Sequence, residues 1–283
     1  MKKTPLILLL MLFTHSGYCT APKKTGDQNL TILTWNIRYN NPGDGANAWP
    51  NRKDKVFALL REAKPQIICL QEVLSGQMDD LTNALPQYSS FGAGRDDGNR
   101  QGEWVPVFFD KNRYQFLSGD HFWLSETPDV PGKLGWDAVC ARMVTWVALA
   151  DRTSHDTLFV FNTHFDHVGV KARLMSAQLL TRAADSLAGN HPAIIAGDFN
   201  STVRDSLYTV IIESGFKDSR TVSATAPIGP EYTFTGFHVS SKPGDRIDFI
   251  FVRNTKPIQN YIVSDDNLNG FYPSDHLPVI LRF

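Results

Sequence analysis

Ala193-Ile194-Ile195-Ala196-Gly197-Asp198-Phe199-Asn200 is an apolar run cut off by a glycine and two short polar side chains. Four apolar residues bounded by turn-formers read as a strand buried on both faces. The carboxylate and amide at its end stand where a rigid strand presents side chains to a site. The same habit recurs on either side. Asn36 follows the run 30–35, Glu72 follows 67–71 and His164 follows 158–163. Asp248 lies inside Arg246-Ile247-Asp248-Phe249-Ile250-Phe251, and Asp275-His276 precede the last apolar run.

Taken singly, each residue has an ordinary reading. Asn36 can cap a turn, Glu72 can pair with a lysine, and Gly197-Asp198-Phe199-Asn200 can be a plain turn. Asp248 resists such a reading, because a carboxylate among Ile247, Phe249 and Ile250 is partly buried and needs a partner. Together the residues make chemical sense. Glu72, Asp198 and Asp275 are hard oxygen donors, joined by the amides of Asn36 and Asn200, a set that suits Mg²⁺ or Mn²⁺ better than zinc. His164 and His276 add groups that donate to, or take protons from, a phosphate ester under attack.

The intervening pattern alternates strands and amphipathic helices. Strands are expected over 30–36, 67–70, 105–109, 114–117, 143–149, 158–162, 193–196, 247–252, 261–263 and 279–283. Helices are expected over 51–63, 78–85, 171–187 and 206–214. Asp110-Lys111-Asn112 between two of the strands reads as a hairpin turn. Strands outnumber helices and several are joined by short turns. Two packed mixed sheets with helices outside, in one α/β domain over 22–283, fit this pattern best.

The chain has 283 residues, 42% of them hydrophobic. Lys2 and Lys3 precede eight consecutive apolar residues, 6–13, followed by small and polar ones. That run is far short of the ~20 residues that span a bilayer and matches a secretory signal peptide over 1–21. The expectation is a periplasmic or secreted protein with no integral membrane segment once the leader is removed. Lipid attachment at Cys19 is the lesser reading, because Tyr18 sits where a small residue is favoured. Lys2 and Lys3 are the only formally charged residues of the leader, so the mature chain carries −3 in place of −1. No basic excess marks a dedicated nucleic-acid-binding surface. Cys69 and Cys140 show no metal-type spacing and are expected as separate thiols.

The motifs Thr34-Trp35-Asn36-Ile37-Arg38, Leu70-Gln71-Glu72-Val73, Asn162-Thr163-His164-Phe165, Gly197-Asp198-Phe199-Asn200, Arg246-Ile247-Asp248-Phe249-Ile250 and Ser274-Asp275-His276-Leu277-Pro278-Val279 resemble the successive signatures of the endonuclease/exonuclease/phosphatase superfamily. They occur in that family's order. The resemblance implies a four-layered α/β sandwich of the pancreatic deoxyribonuclease type. It implies that Asn36, Glu72 and Asp275 hold one or two Mg²⁺ or Mn²⁺ ions. Asp198 and Asn200 would orient the attacking water and share in metal binding. His276, paired with Asp248, would contact the scissile phosphate or take a proton, and His164 would stabilise the transition state.

A bacterial branch of secreted hydrolases looks similar in Asn36-Ile37-Arg38, in Asn47-Ala48-Trp49-Pro50-Asn51-Arg52 and in His164-Phe165-Asp166-His167. Arg38, Arg52, Arg142, Asp166 and His167 are therefore candidate substrate contacts, the arginines because guanidinium binds phosphate bidentately. The function expected is a monomeric metal-dependent phosphoesterase acting on an unspecified phosphodiester or phosphomonoester. A nuclease is one alternative, and a sphingomyelinase-like enzyme with Trp136 or Phe271-Tyr272 at a lipid surface is another. A non-catalytic binding protein on the same fold would have lost one of these positions, and none is lost.

Overall fold

The computed structural model describes residues 30–238, 244–267 and 270–283, so the expected leader at 1–21, with Cys19, lies outside the described residues. The chain runs through β1 (Thr31–Asn36), a 3-10 turn (Pro42–Asn47), α1 (Trp49–Ala63), β2 (Ile67–Gln71), α2 (Ser75–Ala84), β3 (Tyr88–Phe91), β4 (Val107–Asp110) and β5 (Tyr114–Trp123). It continues through β6 (Met143–Asp151), β7 (Thr157–His164), α3 (Val170–Ala188), β8 (Ala193–Asp198) and α4 (Ser206–Glu213). The last strands are β9 (Lys217–Asp218), β10 (Asp248–Arg253), β11 (Asn260–Val263) and β12 (Val279–Arg282). Among the described residues these strands form two mixed six-stranded sheets, ordered β11-β12-β1-β2-β4-β3 and β5-β6-β7-β8-β10-β9.

Side-chain alternation explains why the sheets stack. Ile32, Ile67 and Cys69 face the second sheet, where Ile194, Ala196, Ile250 and Val252 meet them in one core. Their neighbours Leu33, Ile68 and Leu70 face outward, onto Val56, Phe57 and Leu60 of α1 and Leu81 of α2. Ile195, Phe249 and Phe251 face the other way, onto Leu180 and Ala184 of α3 and Leu207 and Ile211 of α4. Each central strand is thus apolar on both faces, which requires helix–sheet–sheet–helix layering. Burying one such Leu, Ile or Phe contributes about 1.5–3 kcal/mol. No helix of the described residues is long and apolar enough to cross a membrane. Cys69 and Cys140 are both free thiols.

One expectation fails. The strands flanking Asp110-Lys111-Asn112 are not a hairpin. β4 pairs with β2 and β3, whereas β5 pairs with β6 in the other sheet. The turn itself exists, since Arg113 N donates to Asp110 O at 3.1 Å and Asn112 N to Asp110 Oδ1 at 2.9 Å. It carries the chain across the sandwich because Phe109 and Tyr114, on either side of it, both belong to the inter-sheet core. The edge strand β3 and the outer half of β5 have no strong apolar alternation and were not expected.

Polar contacts also join the sheets. Gln71 Nε2, at the end of β2, donates to Asn162 Oδ1 of β7 at 2.7 Å. Asn162 Nδ2 donates back to the carbonyls of Leu70 and Pro106, each at 2.8 Å. Gln71 Nε2 also reaches Thr34 Oγ1 at 3.0 Å, and Gln71, Asn162 and Thr34 are wholly buried. Nondirectional apolar packing lets sheets slide, whereas buried hydrogen bonds tolerate one alignment. Asn162→Leu would remove three buried hydrogen bonds, those to Gln71 Nε2, Leu70 O and Pro106 O, although Gln71 Nε2 keeps Thr34 Oγ1 and Pro106 O keeps Leu70 N. The expected loss is about 2–4 kcal/mol in urea unfolding. A loss below about 0.5 kcal/mol would show that this pair does not join the sheets.

Candidate active site

The polar strand ends converge at one end of the sandwich. Asn36 closes β1, and its Nδ2 donates to Glu72 Oε1 and to Asp198 Oδ2, both at 3.0 Å. This one amide therefore joins carboxylates from both sheets. Glu72 stands just past β2 with a left-handed backbone, φ 59°. Arg38 (φ 58°) and Asn200 (φ 47°) share that conformation. Such geometry costs a non-glycine residue about 1–3 kcal/mol and gathers at functional sites. Gly197 makes the close approach of β8 to β7, since a Cβ there would lie 2.0 Å from Thr163 O.

Asp198 sits between two histidines. His164 Nε2 is 3.5 Å and His276 Nε2 3.7 Å from Asp198 Oδ2. Burial, reinforced by Asp248, pushes the Asp198 carboxyl up to about 7. His276 Nδ1 lies 2.8 Å from Asp248 Oδ2, and Asp248 is fully buried. Burial opposes charge on His276, yet Asp248 and Asp198 hold its pKa well above the ordinary histidine value. His164 behaves oppositely. Burial, then the cations of Arg142 and Arg95, hold it well below that value, so its ring is neutral. Asn200 Nδ2 lies 3.1 Å from His164 Nε2 and also donates to Phe165 O at 3.0 Å. With that amide orientation His164 accepts at Nε2 and carries its proton on Nδ1. Two histidines beside one carboxylate are thus set in opposite charge states.

The remaining oxygen donors lie beside this group. Asp275 accepts from Ser274 Oγ at 3.2 Å, and Ser274 Oγ also reaches Asn36 O at 2.7 Å. Burial, together with the charge of Glu72, raises the Asp275 carboxyl, against His276 and Arg38. A buried carboxylate raised by a second one beside it is a donor set that a hard divalent cation relieves. Glu72, Asp275, Asn36 and Asp198 therefore fit Mg²⁺ or Mn²⁺. Asp198, Asp248 and His276 also bring ligand atoms within 4.8 Å of one another. The His276–Asp248 hydrogen bond makes that trio a proton-holding unit rather than a cation cage.

The candidate substrate contacts divide. Arg38 forms a bidentate pair with Asp44 at 3.0 and 3.1 Å, with Nη1 3.8 Å from Glu72. Arg52 turns to the backbone, donating to the carbonyls of Ile37, Arg38, Asn47 and Pro273. Its observed role is to hold the segment after β1. Asp166 likewise accepts from the backbone N–H groups of Val139, Cys140, Val168 and Gly169 at 2.6–3.1 Å. Arg142 is buried, with Nη2 3.2 Å from Nδ1 of the exposed His167, while its Nε and Nη1 have no hydrogen-bond partner. A cavity of about 480 Å³ opens at the opposite end beside Leu30, Tyr114, Pro192 and Phe283 and contains none of these residues.

Glu103 and Arg95 also join the site and are not among the residues expected from the sequence. Arg95 Nη1 is 2.6 Å from Glu103 Oε2, and that oxygen is 3.7 Å from both Arg142 Nη1 and His164 Nδ1. Burial raises the Glu103 carboxyl against these arginines. No periodic signal marks Glu103; it reaches the site because Trp104 pairs by backbone with Val73 and Gly94. Thr233 was also missed, and its Oγ1 accepts from the backbone N–H groups of Ile247 and Asp248, each at 3.1 Å.

Comparison with known proteins agrees with this fold. The profile of the Endonuclease/Exonuclease/phosphatase family matches residues 33–276. The crystal structure of an endonuclease/exonuclease/phosphatase from Bacteroides vulgatus is 38% identical, with a TM-score of 0.86 over 90% of this chain and 98% of that one. A mannosyl-6-phosphatase from Bacteroides thetaiotaomicron is 34% identical, with a TM-score of 0.84 over 89% of this chain and 98% of that one. The human Nocturnin catalytic domain, 20% identical over 90% of this chain and 93% of that one at a TM-score of 0.71, shares the fold. The chain belongs to the endonuclease/exonuclease/phosphatase family, a family of hydrolases that act on phosphate esters.

Proposed function

We propose that this protein is a divalent-cation-dependent phosphatase of small phosphate esters, with sugar phosphomonoesters as its substrate class, working outside the cytoplasm. The observation that carries the reading is Asp198 between a cationic His276 and a neutral His164, beside the Glu72–Asp275–Asn36 oxygen set. The leader-like N-terminus supports the location, and the similarity to a mannosyl-6-phosphatase supports the substrate class.

When bound, the cation supplies Lewis-acid neutralisation of the phosphoryl oxygens. Charged His276 donates a hydrogen bond to an oxygen that gains negative charge, and Asp248 keeps it oriented and protonated. Asp198, raised into the range where it exchanges protons, accepts one from the attacking water. Asn200 fixes the His164 ring, whose Nδ1 stands 3.7 Å from Glu103 Oε2. Polymer substrates fit less well. Arg95 is bound to Glu103, and Arg100 pairs with Asp79 at 2.9 Å, so the glycine-rich loop 92–102 offers no cationic track for a nucleic-acid backbone.

In a panel of mannose 6-phosphate, glucose 6-phosphate, bis-p-nitrophenyl phosphate, plasmid DNA and sphingomyelin with Mg²⁺ or Mn²⁺, hexose phosphates should be turned over fastest. EDTA should abolish that turnover and added Mg²⁺ restore it. Faster cleavage of DNA or sphingomyelin would overturn the substrate class. Separately, Asp198→Asn and Asp248→Asn should each lower kcat by about 10²–10⁴-fold, in the range of general acid–base groups. Folded variants with kcat within about threefold of wild type would contradict these roles.

A further inference from the structure

A second group of ligand-type side chains forms where the loop entering β6 meets the loop leaving β7. Cys140, Asp166 and His167 each bring one ligand atom, and these atoms lie within 4.8 Å of one another. None belongs to the oxygen set beside Asp198. Cys140 is half-buried, Asp166 buried and His167 exposed, so solvent reaches the group from the histidine side.

The chemistry differs from that of the catalytic cluster. Thiolate, imidazole and carboxylate together suit Zn²⁺ and similar thiophilic cations, whereas Mg²⁺ favours oxygen alone. Asp166 is held in place, because four backbone N–H groups bond its two oxygens. Hydrogen-bonded carboxylates of this kind are common among metal ligands. Ligands of tetrahedral zinc lie roughly 3.5 Å apart given bonds near 2.0–2.3 Å. Cys140 and His167 would close in by about an ångström, with Asp166 as the fixed member.

Arg142 is the obstacle and the link. Its Nη2 is 3.2 Å from His167 Nδ1 and its Nε 3.9 Å from Asp166 Oδ2, so it must yield before a cation enters. It has another partner available. Nη1 lies 3.7 Å from Glu103 Oε2 and, like Nε, has no hydrogen-bond partner. Glu103 in turn stands 3.7 Å from His164 Nδ1.

We propose that Cys140, Asp166 and His167 form an inhibitory site for a thiophilic divalent cation of the Zn²⁺ class. Its occupation takes His167 from Arg142 and turns Arg142 towards Glu103, beside His164. Cation binding stands on its own geometry, while the inhibition rests on the phosphatase reading above.

Co²⁺ reports thiolate ligation by a near-ultraviolet charge-transfer band. In excess Mg²⁺, wild type should develop this band, and Cys140→Ser should lack it. Cys69 does not compete, because burial in the inter-sheet core raises its thiol pKa far above the ordinary value. His167→Ala should weaken Co²⁺ affinity by about tenfold or more. With each protein measured against its own zinc-free rate, Zn²⁺ should inhibit wild type about tenfold more strongly than Cys140→Ser. No band in wild type, or an undiminished band in Cys140→Ser, overturns the site even if no ester is turned over. A band with equal zinc inhibition of both proteins overturns the inhibitory role.

Discussion

The hydrogen bonds of Gln71 and Asn162 set the alignment on which the rest of the site depends. Asn36 belongs to the first sheet and Glu72 follows its strand β2, whereas His164, Asp198 and Asp248 belong to the second. Their convergence requires that the sheets neither slide nor rotate. The apolar core brings the sheets together, but Ile and Val side chains pack almost as well after small shifts. Gln71 lies one residue before Glu72, and Asn162 two before His164. The contact that fixes the sheets is therefore immediately beneath the residues it aligns. Trp35, whose Nε1 donates to His276 O at 2.8 Å, adds a second tie from β1 to the last motif.

Above that contact the molecule concentrates charge where solvent is nearly absent. Asp198, Asp248 and His276 are buried, and His276 is the cation that lets two carboxylates coexist. Among the described residues no cation hydrogen-bonds to Asp275 or Glu72, and Arg38 Nη1 stands 3.8 Å from Glu72. A fold that leaves such an excess in place sacrifices stability for function. The left-handed backbone at Arg38, Glu72 and Asn200 has the same character, since all three follow strands that end at the site.

Much of this was legible in the sequence because the strands are short, apolar on both faces and terminated by polar residues. The runs ending at Asn36, Glu72, His164 and Asp198 needed only that pattern to be placed at one end of a sheet. What stayed hidden depends on distant contacts. Asp110-Lys111-Asn112 has the composition of a hairpin, and only the shared inter-sheet packing of Phe109 and Tyr114 shows that the chain crosses between sheets. Glu103 sits in a glycine-rich loop with no periodicity, and backbone pairing at Trp104 carries it to His164. Arg52 carries a phosphate-binding side chain, yet neighbouring carbonyls take its donors. Side-chain type suggests chemistry, but burial and partners decide whether it is available.

Glu72, Asp275 and Asn36 make up the proposed cation site. Calorimetric titration with Mn²⁺, an ion that favours oxygen over sulfur, tests it most directly. Saturable Mn²⁺ binding is expected of the wild type, with loss of that binding in Glu72→Gln and in Asp275→Asn, both remaining folded. Unchanged Mn²⁺ affinity in the two variants, or no binding to the wild type, would contradict it.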